Sequence, residues 1–560
     1  YEKKLNFKVP ELIYFTKNNY YKNSIRIIKN IKKTFKNKRV IIRSSSLQED
    51  NLKGSNAGKF KSFKNITIKN DILTKHIDLV AKDFNKNDDQ IIVQEFISKP
   101  KFSGVIFTRN INNNSPYYFI NFDKSGLTDL ITSGRFNPSM KTIIVNREKI
   151  IKAGFFTKYL KIIKKIENLF KNDRLDIEFC IKNNKLHVLQ CRPLKFIGKV
   201  NENKINEALI NIEKKIIKIK KRIPNLPGKT TYFGNMSDWN PAEMIGAKPS
   251  CLSLSLYSEL ITDEIWAEQR CNYGYKDVRP NPLMLNLGGS PYIDLRVDFN
   301  SFLPSKLPIK IQEKTINYYL NKIRSKPSLQ DKVEFDIIET CYDFKSKNKI
   351  KAFLKEKEAN IYLNHLRDLT NNIVKKDSNI LNNEIKKIKE LETKIYSLNE
   401  SKISEIQKIY FFVKDCKRLG TLPFAGIARC AFIATKILRS LVDNKILTSN
   451  DLENFYETIF TVTKKMNIAL QKIKNEKERK HFLDNYGHLR PSTYSITSKN
   501  YSENFNKYFS KNMKKEKKIF KKFKLTLKQK NEINKIISFF CFKVKFNFLN
   551  IFFSFFIFLE

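Results

Sequence analysis

The chain has 560 residues, of which 41% are hydrophobic and 29% charged. These proportions exclude a disordered or fibrous protein and suggest roughly two to four folded domains. The formal net charge is +50, yet Lys is spread with Asn, Ile and Phe through almost every segment. No basic block is interleaved with stacking aromatics, so no nucleic-acid partner is expected. Eight Cys without a C-x-x-C pair encode neither a zinc site nor a redox dithiol and point to a reduced, cytoplasmic setting.

The chain opens at Tyr1 rather than Met, with no charged start plus apolar run, and the reading is that the natural N-terminus lies upstream. From Ser24 to Phe35 apolar residues recur at helical spacing (Ile27, Ile28, Ile31, Phe35), and the β-branched run Val40, Ile41, Ile42 follows as a buried strand. The pattern repeats with a helix over Asp71–Phe84, a strand over Ile91–Ile97 and strands near Gly104–Thr108 and Tyr117–Asn121. Residues 1–195 therefore read as a mixed α/β domain. A basic stretch and the breakers Pro224, Pro227 and Gly228 make 196–230 a linker. Residues 231–530 read as a mostly helical domain. Beyond Phe302 amphipathic patterns dominate, over Gln330–Leu354, Ile361–Val374, Glu384–Leu398, Ile403–Leu419, Phe424–Leu441 and Asp451–Ile473. The last segment, 531–560, is rich in Phe, Ile and Leu but broken by Lys543 and Lys545. Its clean run is shorter than the ~20 residues of a spanning helix, so an irregular tail that packs poorly is expected rather than a membrane anchor.

Two constellations carry chemistry. Gly54 and Gly58 follow Arg43-Ser44-Ser45-Ser46 and Glu49-Asp50, and glycine lets a backbone approach a phosphate while Arg supplies a charged fork. A Walker loop is excluded, because the two glycines are too close and Phe60 follows Lys59. In Leu175–Ile181 apolar residues alternate with Asp176, Glu178 and Cys180, so a strand places both carboxylates on one face. A second strand, Leu186–Arg192, follows Asn183-Asn184. A three-residue connection sets Glu178 opposite Gln190 and Asp176 opposite Arg192; a two-residue turn shifts the register by one and separates these pairs. Spacing leaves both open. The converged arrangement offers oxygen ligands for Mg²⁺ and a planar cation for phosphates, whereas the separated one is an ordinary solvated hairpin.

The motifs Ile42-Arg43-Ser44-Ser45-Ser46, Ala57-Gly58, Val93-Gln94-Glu95-Phe96, Ser103-Gly104-Val105-Ile106-Phe107-Thr108, Asp176-Ile177-Glu178 and Leu189-Gln190-Cys191-Arg192-Pro193, in this order, resemble the nucleotide-binding domain shared by phosphoenolpyruvate synthase, pyruvate phosphate dikinase and rifampicin phosphotransferase. The resemblance implies an ATP-grasp-like α/β domain followed by a mostly α-helical domain, with ATP and Mg²⁺ as cofactors. It implies further that Arg43 contacts the terminal phosphates, Gly58 and Ser62 lie in the loop covering them, and Gln94 sits at the adenine edge. Glu178 and Gln190 then act as metal and nucleotide ligands, Asp176 as a supporting acid and Arg192 as a phosphate clamp; Arg43 and Arg192 are the catalytic pair.

Three departures qualify this picture. The family's N-terminal Gly-Lys phosphate contact has no counterpart, and its Gly-Leu-Gly-Glu stretch is replaced by Asp123–Gly134. None of the five histidines, His76, His187, His365, His481 and His488, has the Ser-His context of the family's phosphoryl carrier. The segment Asn235-Met236-Ser237-Asp238-Trp239-Asn240-Pro241 resembles the region after the ATP domain in synthase-like proteins, where rifampicin phosphotransferase carries an acceptor-binding domain; plain core packing is the alternative for Trp239. The leading reading is a truncated ATP-dependent phosphotransferase of the dikinase type. Its partners are a small-molecule phosphoryl acceptor, pyruvate-like or other, and a separate phosphohistidine domain. The alternative is a non-catalytic nucleotide-binding remnant or regulatory module.

Overall fold

Val40 and Ile42 face a helical layer while Ile41, Arg43 and Ser45 take the opposite face of their strand, as the period-two alternation requires. The computed structural model describes residues 6–45, 62–84, 86–123, 140–194, 201–375, 379–459, 461–490, 498–509 and 523–539. It divides into two units, Tyr1–Leu209 and Ile210–Glu560.

The first unit contains two antiparallel sheets. Strands β1 (Leu12–Thr16), β2 (Val40–Ser45), β3 (Ser62–Ile66) and β4 (Gln90–Glu95) pair in the order β1-β4-β2-β3. Helices α1 (Lys17–Phe35) and α2 (Asn70–Lys82) cover one face through Ile31, Phe35, Leu73 and Ile77, which pack on Val40, Ile42, Ile91 and Val93. The second sheet has the order β7-β6-β5-β8-β9, formed by β5 (Phe102–Phe107), β6 (Tyr117–Asp123), β7 (Lys141–Asn146), β8 (Leu175–Lys182) and β9 (Lys185–Pro193). Helix α3 (Thr157–Phe170) seals it with Tyr159, Leu160, Ile163 and Ile166 against Ile106, Tyr118, Ile177 and Phe179. Two sheets, each backed by helices, make a mixed α/β unit, as the alternating pattern predicts. The buried Glu167 carboxylate on α3 accepts from Arg147 at 2.6 and 2.9 Å and from the Tyr118 hydroxyl at 3.1 Å, so this charge is fully hydrogen-bonded rather than stranded.

The second unit is mostly helical, with one small sheet, β10 (Phe233–Gly234), β11 (Met284–Leu287) and β12 (Ser290–Asp294), in the order β10-β12-β11. Among the described residues no strand follows Asp294. The sequence reading needs correction at four places. The 196–230 segment is not a plain linker, because Glu202–Ile219 forms helix α4; the buried Arg296 guanidinium donates to the carbonyls of Ile219 and Lys221 at its C-terminal end, at 2.7 and 2.8 Å. Gln330–Leu354 is not one helix. Glu339, Thr340 and Asp343 are buried polar residues, and the Asp343 amide donates to Ser346 Oγ at 2.9 Å, a local bond that competes with helix. Asp451–Ile473 breaks where Ile459 turns extended and Thr461 caps a new helix. Finally, Leu527–Phe539 is helical, and its Ile533 and Ile537 are buried in the unit's core; the remainder of the apolar tail lies outside the described residues. Glu405–Asp443 is long and apolar enough to cross a membrane, but 72% of its apolar window is buried inside the protein, as in a core helix.

At the centre of this unit, Arg270 on α5 (Ile265–Asn272) bonds Asp238 and Ser301, each at 2.5 Å, and lies 3.6 Å from Asp298 on α6 (Leu295–Asn300). Arg429, on α7 (Leu422–Asp443), grips Glu334 at 2.6 and 2.7 Å. Both guanidiniums lie over the Phe302 ring, Arg270 at 3.8 Å and Arg429 at 4.9 Å from its centroid. Asp238, Asp298 and Glu334 thus face two cations, and one bound proton balances the group. By geometric criteria neither Asp298 oxygen accepts a hydrogen bond from the described residues. Burial first, and then the neighbouring Asp238 carboxylate, hold the Asp298 carboxyl well above the usual range.

Two outcomes are expected. Gly104 sits so close to β6 that an added Cβ would lie 2.1 Å from the Asn121 carbonyl oxygen. Gly104→Ala should therefore separate β5 from β6 and lower stability by roughly 1–3 kcal/mol, the scale of overpacking, read as a lower urea midpoint. For Asp298, the folded carboxyl holds its proton more tightly than the unfolded one. The stabilisation from that proton is full at low pH and is lost as pH rises through the raised folded value. The urea midpoint should fall with rising pH above the ordinary carboxylate range, and Asp298→Asn should flatten that fall; an unchanged slope would contradict the buried proton.

Candidate nucleotide site

The β8–β9 hairpin builds the site. Asn183 and Asn184 both adopt left-handed backbone, with φ of 50° and 56°, the two-residue turn whose twist suits a hairpin. Lys182 accordingly faces Lys185, Ile181 faces Leu186 and Phe179 faces Val188. Continued unbroken, that register would bring Gln190 opposite Ile177 and Arg192 opposite Leu175, turning an amide and a guanidinium into the apolar core. The ladder instead shifts between Phe179 and Glu178, so that Glu178 faces Gln190 and Asp176 faces Arg192. Leu189 is the extra residue of this bulge. The expected pairing therefore arises without the three-residue connection: the turn has two residues, and the bulge restores the register.

The bulge also supplies a backbone acceptor. Arg43 Nη2 donates to the Leu189 carbonyl at 3.0 Å, and the buried Gln94 amide donates to the same oxygen at 3.5 Å. Arg43 Nη1 reaches Gln190 Oε1 at 3.2 Å. Arg43 and Gln94 come from the face of the first sheet opposite α1 and α2, so these bonds tie the two sheets of the unit together. Two residues further along the same hairpin, Arg192 Nη2 bonds Asp176 Oδ2 at 3.2 Å, with both side chains partly exposed. Glu178, half-buried on the same sheet face, accepts no hydrogen bond among the described residues. Ser62 begins β3 directly opposite Arg43. Gly58 and the replaced 124–134 stretch lie outside the described residues.

Thiol chemistry is not available on this hairpin. Burial pushes Cys180 up to about 12, and burial together with the Asp176 carboxylate pushes Cys191 up to about 11, so both stay protonated near neutrality. Among the described residues no three His, Cys, Asp or Glu side chains converge as metal ligands. The donors present are two carboxylates and one amide oxygen on adjacent strands, an oxygen set that suits Mg²⁺, which keeps several of its waters and takes few protein ligands.

Residues 21–165 match the family described as pyruvate phosphate dikinase, AMP/ATP-binding domain. This segment is similar to the nucleotide-binding domain of pyruvate phosphate dikinases. The match holds β2 and β4, with Arg43 and Gln94, and ends before the hairpin that carries Asp176, Glu178, Gln190 and Arg192. The pyruvate, phosphate dikinases of Rickettsia typhi (strain ATCC VR-144 / Wilmington) and Rickettsia prowazekii (strain Madrid E) are 31% and 30% identical over 159 residues. These stretches take in 26% of this chain and 17% of either dikinase. Two solved structures overlap slightly. The macrocyclase MdnC bound with precursor peptide MdnA from Microcystis aeruginosa aligns at TM-score 0.22 and 13% identity, over 37% of this chain and 57% of its own. The D-alanine-D-alanine ligase from Helicobacter pylori aligns at 0.20 and 16%, over 35% and 52%. Overlaps this small carry no weight for function.

The sequence alone did not point to the Leu189 carbonyl, because a bulge leaves no residue signature when the flanking alternation fits two registers. Deleting Leu189 should keep the Glu178–Gln190 and Asp176–Arg192 pairs in a regular ladder while removing the acceptor of Arg43 and Gln94. The variant is expected to retain its far-ultraviolet circular dichroism and to lose roughly 1–3 kcal/mol of stability, the usual worth of charge-assisted hydrogen bonds. An unchanged unfolding midpoint would show that the carbonyl does not tie the sheets.

Proposed function

We propose that the first unit binds ATP with Mg²⁺ and acts as the nucleotide-binding part of a dikinase-type phosphotransferase. The observation that carries this reading is the meeting of Arg43, from the sheet inside the family match, with Gln190 and the Leu189 carbonyl on the hairpin, beside Asp176, Glu178 and Arg192. Asp176, Glu178 and Gln190 would hold Mg²⁺, which neutralises phosphate charge when bound. Arg43 and Arg192 would set planar donors against the phosphate oxygens, a geometry to which guanidinium is suited. Gln94 would lie at the base, and Gly58 and Ser62 along the covering loop. The protein's contribution to phosphoryl transfer is then positioning and charge neutralisation. The described cysteines are all free, which fits a reduced, cytoplasmic setting.

The phosphoryl group needs an acceptor. His76 is turned to the Ile72 carbonyl at 2.7 Å within α2, His187 is half-buried on β9, and no histidine of the chain has the Ser-His context of a carrier. A phosphohistidine domain separate from these residues, serving a pyruvate-like or other small acceptor, completes the reaction in this reading. The same observation favours a second reading, a nucleotide-binding module that does not turn over.

Both readings require the nucleotide to bind, and both are tested there. The purified chain should be stabilised against thermal unfolding by ATP with Mg²⁺. Arg192→Ala should weaken nucleotide binding by roughly 1–3 kcal/mol, the scale of a lost charge-assisted phosphate contact, measured by calorimetry. Incubation with β-labelled ATP and pyruvate should leave no acid-labile phosphohistidine on the chain. Label on a histidine would show that one of the five is the carrier, and absence of any ATP effect would remove the proposal.

A further inference from the structure

Both guanidiniums assigned to phosphate already have, on the hairpin, a partner that is an oxygen assigned to the metal. Arg43 Nη1 stands 3.2 Å from Gln190 Oε1, and Arg192 Nη2 stands 3.2 Å from Asp176 Oδ2. A second cation on either oxygen would face the first at close range, in a site where Asp176 and Arg192 are only 18% and 25% exposed and water screens weakly. An amide oxygen has two lone pairs, but a divalent ion and a guanidinium sharing it repel each other.

We infer that the Arg43–Gln190 and Arg192–Asp176 pairs are a self-occupied resting state of the site, which metal and nucleotide open together. Occupation of Gln190 and Asp176 by a divalent cation displaces the two guanidiniums, and the displaced guanidiniums are the groups that then hold the phosphates. Metal and nucleotide therefore assist each other beyond their own mutual attraction, and the arginine–acceptor pairs are the device that links them. Arg43 does not swing free when it leaves Gln190, because its other nitrogen is anchored on the Leu189 carbonyl; the bulge keeps it beside the site. Glu178, with no hydrogen bond among the described residues, remains as a ligand that requires no displacement. The inference rests on the proposed ATP site and adds to it a rule for how that site is filled.

The test uses the full chain and ATP itself, titrated by calorimetry with excess Mg²⁺ and again with EDTA. In Gln190→Met the volume is kept and the side-chain oxygen that Arg43 Nη1 reaches is removed. If the pair is a resting state, this variant binds metal-free ATP more tightly than wild type, by about threefold or more, while the gain on adding Mg²⁺ shrinks, because linked sites lose their coupling from both directions. A residue that only held metal, or only supported the fold, would leave metal-free binding unchanged or weaker. Asp176→Asn, which loosens the hold on Arg192 without changing shape, should behave in the same way and carries the test if Gln190→Met fails to fold by circular dichroism. Metal-free affinity at or below wild type in the folded variants overturns the inference while leaving the ATP site in place. No binding of ATP by wild type, with or without Mg²⁺, removes the proposed function itself.

Discussion

One extra residue in a β-ladder sets the arrangement of the first unit. The Asn183-Asn184 turn and the apolar alternation of β8 and β9 make incompatible demands. The turn asks for a register that buries Gln190 and Arg192, and the core has no partner there for an amide or a guanidinium. Placing Leu189 outside the ladder satisfies both. The polar residues of β9 stay on the face that carries Asp176 and Glu178, and a backbone carbonyl becomes available to the other sheet. Arg43 and Gln94 meet that carbonyl, so one local irregularity fixes the pairing of the site and its link to the family-matched sheet.

The two units handle charge differently. On the hairpin, Arg192 and Asp176 are partly exposed, and each guanidinium has an acceptor that a ligand can replace. In the core of the second unit, the side chains of Arg270, Arg429, Asp238, Asp298 and Glu334 are almost wholly enclosed, and both cations lie over the Phe302 ring. Removing such groups from water is costly, and they persist only because they compensate one another. The enclosed cluster thus acts as a structural element built on the Asp238 segment that the sequence singled out, whereas the hairpin pairs are partly open to water. Burial, more than residue type, separates the two roles.

Family resemblance and geometry carry different parts of the case. The matched segment ends at residue 165, so Arg43 and Gln94 are supported by both kinds of observation. Asp176, Glu178, Gln190 and Arg192 are joined to them by hydrogen bonds and strand register. The relatives are far longer than the part matched, and the acceptor chemistry of whole dikinases is correspondingly a matter for the experiments above rather than for resemblance.

The sequence by itself determined what short-range physics controls. The strands with β-branched runs, the helices with apolar residues at helical spacing, the shared face of Asp176 and Glu178, and the helical character beyond Phe302 all follow from side-chain periodicity, which is local. Long amphipathic runs were less legible. Gln330–Leu354 matches a helical period, yet its buried polar residues bond to the chain around them and break it; Glu202–Ile219 forms a helix in a stretch whose breakers lie just beyond it. Register was not legible at all, because alternation with period two fits the hairpin with or without a bulge. Only the tertiary structure decided it: the cost of burying Gln190 and Arg192 exists only once α3 and the sheet have made a core for them to avoid, and the Leu189 carbonyl has a role only because Arg43, 146 residues away, lies opposite.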